Sequence, residues 1–176
     1  MKKMMLTLAA VLCCATLFTA CDKNRTKGNE EKDEPQVTYS FCIQVPESAA
    51  DQQDVVKMTV TAPDNQGQPK ENDFSAFVEE MTLQGNTYKD LPKSLTFTIA
   101  ETLLSDRPEQ ASYKMGFYYK LTVTSTDSRG YVIDYKVQEQ ESTMTVPAAN
   151  LSTLYPATLT FKADIDKDGN INLYRQ

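Results

Sequence analysis

Apolar residues stand at every second position through much of this sequence from residue 37 onward. In the first such run, Val37, Tyr39, Phe41, Ile43 and Val45 alternate with smaller or polar residues. Successive side chains of a β-strand point to opposite faces, so this spacing predicts a strand with one buried face. The alternation returns at 56–60, 95–99, 113–123, 131–137 and 159–165, and more briefly at 144–146 and 171–173. The chain is therefore predicted to be all-β.

Short segments rich in Asp, Asn and Gly, at 63–67, 127–130 and 166–170, separate these runs and tolerate tight reversals of the backbone. Because 113–123 precedes 131–137 closely, and 158–165 precedes 171–174, each pair is predicted to form an antiparallel hairpin. The length of residues 36–176 is that of a single domain, and about seven to eight strands within it favour a sandwich over a barrel. Its predicted fold is a two-sheet β-sandwich of immunoglobulin-like or transthyretin-like kind.

One segment has helical spacing instead. Apolar residues stand at i, i+3, i+4 and i+7 from Phe74 to Met81, Asp73 can cap the first turn, and Gly85 follows the last. This pattern predicts one short helix near residues 74–83. A strand from Phe77 to Leu83 is the competing interpretation.

The first 20 residues have the three-part layout of an export signal. Lys2 and Lys3 provide a positive start, and an uncharged, largely apolar stretch runs from Met4 to Ala20. An uncleaved membrane helix is the alternative, but 17 residues diluted by Ala, Thr and Cys are near the lower limit for crossing a bilayer. Residues 1–20 are therefore predicted to be a signal peptide.

The quartet Phe18-Thr19-Ala20-Cys21 resembles the lipobox of bacterial lipoproteins, although Phe18 stands where Leu is usual. The resemblance implies that Cys21 receives lipid and becomes the mature N-terminus. Two or three acyl chains would hold the protein durably at a membrane. Residues 21–35 are highly charged and contain no large apolar side chain, so they are predicted to form a flexible tether.

This order of leader, tether and β-rich body is similar to the small outer-membrane lipoproteins of Bacteroidetes-type bacteria, many of which have no assigned function. In that group an acidic stretch soon after the cysteine directs proteins to the cell surface. Here the acids cluster at Glu30–Glu34, later than usual. The resemblance therefore implies a lipid-anchored outer-membrane protein, with the cell surface favoured over the periplasmic face.

Several activities are excluded or disfavoured by the residues themselves. The chain contains no histidine, which excludes His-dependent hydrolysis and His-ligated metals. Its six glycines are scattered singly, so no phosphate-binding loop is present. A formal net charge of −6 without a basic stripe argues against nucleic acid as a partner. Outside the leader and Cys21, the remaining cysteine, Cys42, is interpreted as a small, partly buried apolar residue.

Paired carboxylates could still act on glycosides if two of them met in space. The available acids are Glu79 with Glu80, Glu101 with Asp106, and Glu139 with Glu141. An acidic β-protein shows such pairs by chance, so no catalytic residue is assigned and the protein is predicted not to be an enzyme.

Segment 164–171 is similar to the DxDxDGxI opening of an EF-hand-type calcium loop, in which alternate carboxylates converge on the ion. Arg175, however, stands where a bidentate Glu should close the loop. The favoured interpretation is a hairpin turn, and no cofactor beyond the covalent lipid is expected. If calcium does bind, the predicted ligands are Asp164, Asp166, Asp168 and the Asn170 carbonyl.

Tyr118 is the remaining candidate for binding. Since odd-numbered residues of 113–123 are predicted to face inward, Tyr118 lies on the outer face beside Lys114 and Lys120. There its ring could stack on a sugar or a protein, although single exposed tyrosines are common on β-surfaces.

Together these features favour a lipid-anchored, non-enzymatic module that presents loops or a sheet edge to a protein or glycan partner. The alternative is a structural or accessory subunit of a surface assembly similar to a fimbria. A glycosidase that uses two carboxylates is the third possibility.

Overall fold

A computed structural model describes residues 34–74 and 80–176, and nearly all of the described chain is strand, turn or loop. Its strands are β1 (Gln36–Gln44), β2 (Val56–Pro63), β3 (Pro69–Phe74), β4 (Glu80–Gln84), β5 (Lys93–Leu103), β6 (Ser112–Thr126), β7 (Val132–Pro147), β8 (Ala157–Ile165) and β9 (Ile171–Arg175). Two one-turn helices, α1 (Gln52–Val55) and α2 (Leu151–Leu154), follow 3-10 turns at Glu47–Ala49 and Ala148–Asn150. Within these residues, no helix has the length and apolar character to cross a membrane.

The strands form two antiparallel sheets. One has the order β4-β1-β6-β7 and the other the order β3-β2-β5-β8-β9. The prediction of an all-β, two-sheet sandwich is confirmed, with nine described strands rather than seven or eight. Both predicted hairpins are present, since β6 pairs with β7 and β8 pairs with β9.

The predicted helix near 74–83 is wrong over the residues described there. Phe74 ends β3 and is buried opposite Met58, whereas Met81 and Leu83 belong to β4. These two β4 residues are half-buried and separated by an exposed Thr82, which is the two-residue period of a strand. The helical spacing thus joins apolar residues of two different strands, and positions 75–79 lie outside the described residues.

An aromatic cluster joins the two sheets. Phe41 of β1 packs edge-to-face on Phe97 of β5 and on Phe161 of β8, with ring centroids 5.7 and 6.1 Å apart. Tyr39 and Tyr119 extend the cluster on either side, at 4.8 Å from Phe97 and 4.9 Å from Phe161. Such contacts add to the burial of the rings themselves, so the cluster is a principal source of stability.

The apolar residues of the 131–137 run are not buried, contrary to the sequence prediction. Tyr135 and Val137 are opposite Thr124 and Thr122, on the outward face of β6. The exposed fractions are 62% for Tyr135 and 41% for Val137. Because β6 already directs its odd-numbered residues into the core, the hairpin register turns the odd-numbered residues of β7 outward.

We expect Phe97→Ala to lower the free energy of unfolding by about 3 to 5 kcal/mol, because it deletes a fully buried ring between two sheets. Tyr135→Ala is the matched control, with an expected change below about 1 kcal/mol at its exposed position. Urea denaturation of both variants measures the difference. Equal losses would contradict the assignment of the core.

Candidate functional site

The predicted export signal, Cys21 and nearly all of the tether lie outside the described residues. The lipid anchor therefore stays a prediction from the sequence. The other predicted site residues, Tyr118 and the acidic turn, are described.

Tyr118 lies on the outward face of β6, as predicted, and is half-buried. Its hydroxyl donates to Glu139 Oε1 at 2.8 Å, and Lys120 Nζ lies 3.5 Å from Glu139 Oε2. Partial burial and this hydrogen bond raise the pKa of Tyr118 to about 12. The ring is therefore tied to β7 by its hydroxyl, and a binding role for it stays a prediction.

The acidic segment forms the turn between β8 and β9. Asp166 Oδ1 accepts the backbone N–H groups of Asp168 and Asn170, both at 2.9 Å. Asp164 accepts hydrogen bonds from Ser94 and Tyr174 instead. Among the described residues, no three or more His, Cys, Asp or Glu side chains are grouped to hold a metal ion. The turn thus has the hydrogen bonds expected of a hairpin, which is the favoured interpretation, and a calcium site stays the alternative to it.

Cys42 is a free, half-buried thiol on β1. Its Sγ lies 3.7 Å from Glu80 Oε1, and burial raises the pKa of the thiol. A raised pKa disfavours the reactive thiolate. This agrees with its interpretation as a partly buried apolar residue.

A cleft of about 230 Å³ opens between the two sheets, on the side of β7 and β9. It exists because β9 pairs with β8 only from Phe161 to Ile165 and leaves the first part of β8 uncovered. One wall comes from β6 and β7, and the other from β5, β8, β9 and the end of α2. The lining side chains include Glu101, Met115, Phe117, Tyr119, Gln140, Ser142, Met144, Leu154, Tyr155, Leu159 and Arg175.

Glu101 is the single carboxylate among the lining residues of the cleft and is only 7% exposed. Gln52 Nε2 donates to its Oε1 at 2.5 Å. Burial raises the pKa of Glu101 to about 7, against a smaller lowering by the Gln52 hydrogen bond. Burial and the charge of Glu101 raise the pKa of Tyr155, also in the cleft, to about 12. A buried acid in a cleft, with a perturbed pKa, marks a candidate site.

Gln52 is held in place by a second contact, with β6. Its Oε1 accepts the backbone N–H of Gly116 at 2.8 Å. Gly116 has φ +143°, and a Cβ there would lie 1.9 Å from the Ser142 carbonyl oxygen, so only glycine fits. This close approach of β6 and β7 supports the wall of the cleft.

A second, larger recess of about 450 Å³ lies beside the β2–β3 turn. Its carboxylate, Asp64, accepts the backbone N–H groups of Gln66 and Gln68, both at 2.8 Å. Those bonds lower the pKa of Asp64. The carboxylate therefore maintains the turn, and the smaller cleft is the stronger candidate.

The carboxylate pairs considered for glycoside hydrolysis do not combine in this cleft. Glu101 lines it, whereas Asp106 is exposed in the following loop. Glu139 and Glu141 lie on the outward face of β7, opposite Lys120 and Tyr118. Glu79 lies outside the described residues.

Sequence reasoning overlooked the position of Glu101, although a signal was present. Leu95, Phe97 and Ile99 face inward at alternate positions, and the next position in that series is Glu101. A carboxylate at an inward position of a strand indicates a buried acid. Gln52, by contrast, belongs to a one-turn helix and has no comparable signal in the sequence.

Comparison with family models, curated proteins and solved structures finds no significant match to this chain. Its function must therefore be inferred from its own residues and geometry.

We expect the stability of the protein to fall as the pH rises from 5 to 8 because of Glu101. Its pKa is about 7 in the folded state, against a reference value of 4.5. The folded state therefore binds the proton more tightly, and this contribution is lost as the pH rises through 7. Between pH 5 and pH 8 the loss should reach about 2.5 kcal/mol, and Glu101→Gln should remove most of it.

Urea denaturation at pH 5 and pH 8 tests this expectation. The matched control is Glu71→Gln, which alters an exposed carboxylate on β3. The control should keep the pH dependence of the wild type. A Glu101→Gln variant with an unchanged pH dependence would show that Glu101 does not titrate as described.

Proposed function

We propose that this chain is a lipid-anchored, non-enzymatic interaction module of the cell envelope. Cys21 would carry the lipid, and residues 36–176 would face the cell exterior from the outer membrane. Strand β7 would be the surface that binds a partner protein. The lipobox-like quartet supports the anchor, and the absence of histidine supports a non-enzymatic role.

The distribution of exposed apolar residues carries this proposal. Among the described residues, seven large apolar side chains are exposed, and six of them lie on β7 or immediately before it. They are Tyr131, Val132, Ile133, Tyr135, Val137 and Met144. Tyr135 and Val137 face outward, whereas Met144 lines the cleft and is not part of the proposed surface. An apolar concentration of this kind is typical of an interaction surface.

The position of β7 in its sheet gives the surface a second property. β7 is 16 residues long and, among the described strands, forms the edge of its sheet and pairs with β6 alone. An edge strand presents backbone donors and acceptors to another strand. The edges of the other sheet differ, because β3 carries Lys70, Glu71 and Asp73 on six residues and β9 has only five residues. The other edge of the β7 sheet, β4, also has only five residues, so β7 is the longest edge strand among the described residues.

The proposed occupant is an extended segment of a partner protein, added antiparallel to β7. Tyr135 and Val137 would contact apolar side chains of that segment. Glu139 and Glu141 continue the same face and would contact basic ones. The two acids and the net charge of −6 oppose contact with an anionic bilayer, which favours a protein as the occupant.

A photo-crosslinking side chain at position 135 in the full-length protein, expressed in its native cells, tests this surface. We expect crosslinks to one extended segment of a partner protein in which basic residues are followed by apolar ones, because an antiparallel strand meets Glu141 and Glu139 before Val137 and Tyr135. Replacing Val137 with Asp should reduce the yield of these crosslinks about tenfold, because it places a charge in the apolar contact. Mass spectrometry of the crosslinked peptides identifies the segment.

The matched control carries the crosslinker at Glu71, on the opposite edge of the molecule. It should not capture the same segment. Crosslinks from position 135 to lipid would assign β7 to the bilayer instead. Crosslinks to β7 of a second copy would favour the fimbria-like alternative, in which the chain assembles with itself. Either result would overturn the proposed partner.

The lipid anchor has its own test. Cells supplied with radioactive palmitate should label the wild-type protein, whereas Cys21→Ala should abolish the label and release the protein from the membrane fraction. Cys14→Ala is the matched control, because it alters a cysteine of the leader, and labelling should persist. An unlabelled wild-type protein that retains residues 1–20 would refute the anchor.

A further inference from the structure

The cleft between the sheets holds a buried acid, Glu101. Among the described residues, Gln52 is the side chain that donates to Glu101, and no Lys or Arg forms an ion pair with it. We propose that the cleft binds an organic ammonium group on a short apolar chain, with Glu101 as its counter-ion. This site is distinct from the outward face of β7 and does not depend on the proposed partner.

The orientation of Glu101 favours such a ligand. Gln52 uses its carbonyl oxygen for Gly116 N–H and its amide nitrogen for Glu101 Oε1, so its amide cannot be reversed without losing both bonds. A carboxylate has about four acceptor sites, of which this contact uses one. The remaining sites can accept N–H donors from an ammonium group, which has three.

The walls of the cleft suit the apolar part of the ligand. Met115, Phe117 and Leu159 offer apolar contacts beside the acid. The rings of Tyr119 and Tyr155 can also contact a cation through their faces. The cleft volume of about 230 Å³ can hold several heavy-atom groups of the size of a water molecule, which occupies roughly 30 Å³. A linear amine of about six carbons is therefore of suitable size.

The charges around the cleft direct the ammonium group towards Glu101. The other ionisable groups that line it are Tyr119, Tyr155 and Arg175. Arg175 is exposed on β9 and would repel a cation from that end. An ammonium ligand favours ionised Glu101, so binding should be strongest above pH 7 and weaken at pH 5, where the carboxyl group holds its proton.

The ammonium group could belong to a free small amine or to a lysine side chain of a polypeptide. Both offer the same chemistry, an alkyl chain that ends in a cation. Hexylammonium and a lysine capped as an N-acetyl methylamide are the two probes that separate these sources. The capped lysine adds two amide groups that must be accommodated at the mouth of the cleft.

Methyl NMR of the full-length protein, with labelled methionines, tests the site directly, because Met115 and Met144 line the cleft. At pH 8 hexylammonium should shift these methyl signals with a Kd about tenfold or more below that of n-hexanol, its uncharged counterpart. At pH 5 the ratio of the hexanol Kd to the hexylammonium Kd should be at least tenfold smaller. Tighter binding of hexylammonium than of capped lysine assigns the site to free amines, and the reverse order assigns it to a polypeptide.

Two variants keep the test decisive. Glu101→Gln should abolish the preference for hexylammonium over hexanol, whereas the exposed control Glu71→Gln should retain it. Ser142→Leu leaves Glu101 intact but fills part of the cleft, so it should weaken both probes. Dispersed methyl signals confirm that each variant is folded. Equal affinity for the charged and uncharged probes in the wild type, or no shift of either methionine, would overturn the proposal.

Discussion

The register of β6 determines the arrangement of the whole sandwich. β6 pairs with β1 on one side and with β7 on the other, and its odd-numbered residues point between the sheets. Through β1 it aligns Leu121 with Phe41, which joins the aromatic cluster. Through β7 it aligns Leu121 with Gln138, a polar residue on the side of the sandwich where the cleft opens. A slip of one residue would reverse both faces, so the core and the exposed surface of β7 have a common cause.

The Glu101 site follows from the point at which β1 ends. β1 pairs with β6 only as far as Tyr118, and no other described strand pairs with the start of β6 on that side. Asp51 and Gln52 take over this edge, since they accept the backbone N–H groups of Lys114 at 2.6 Å and Gly116 at 2.8 Å. Gln52 then reaches Glu101 in the other sheet. The buried polar contact thus satisfies a backbone donor that strand pairing leaves free.

Alternation predicted most strands and both hairpins because each strand has one face in a shared core. It failed for β7, where Tyr135 is outward but Val146 is buried. Tyr135 is odd-numbered and Val146 even-numbered, so in one continuous strand they cannot both face the core. The sequence shows that one of them must face outward, but only the pairing with β6 decides which one. The helix prediction failed because Phe74 and Met81 pack from separate strands. Gln52 could not be predicted, since its role depends on β6 and β5, which are distant in sequence.

Strand β7 contributes to both proposed sites, and its position at the edge explains this. Its even-numbered residues Gln140, Ser142 and Met144 line the cleft, whereas Glu139 and Glu141 continue the outward face. A central strand would have both faces and both backbone edges occupied by neighbours. At the edge, the inward face is covered only in part, and no described strand pairs with the far backbone edge. Both sites therefore use β7, the cleft through its even-numbered side chains and the outward face through its odd-numbered ones. A substitution at one site can leave the residues of the other in place.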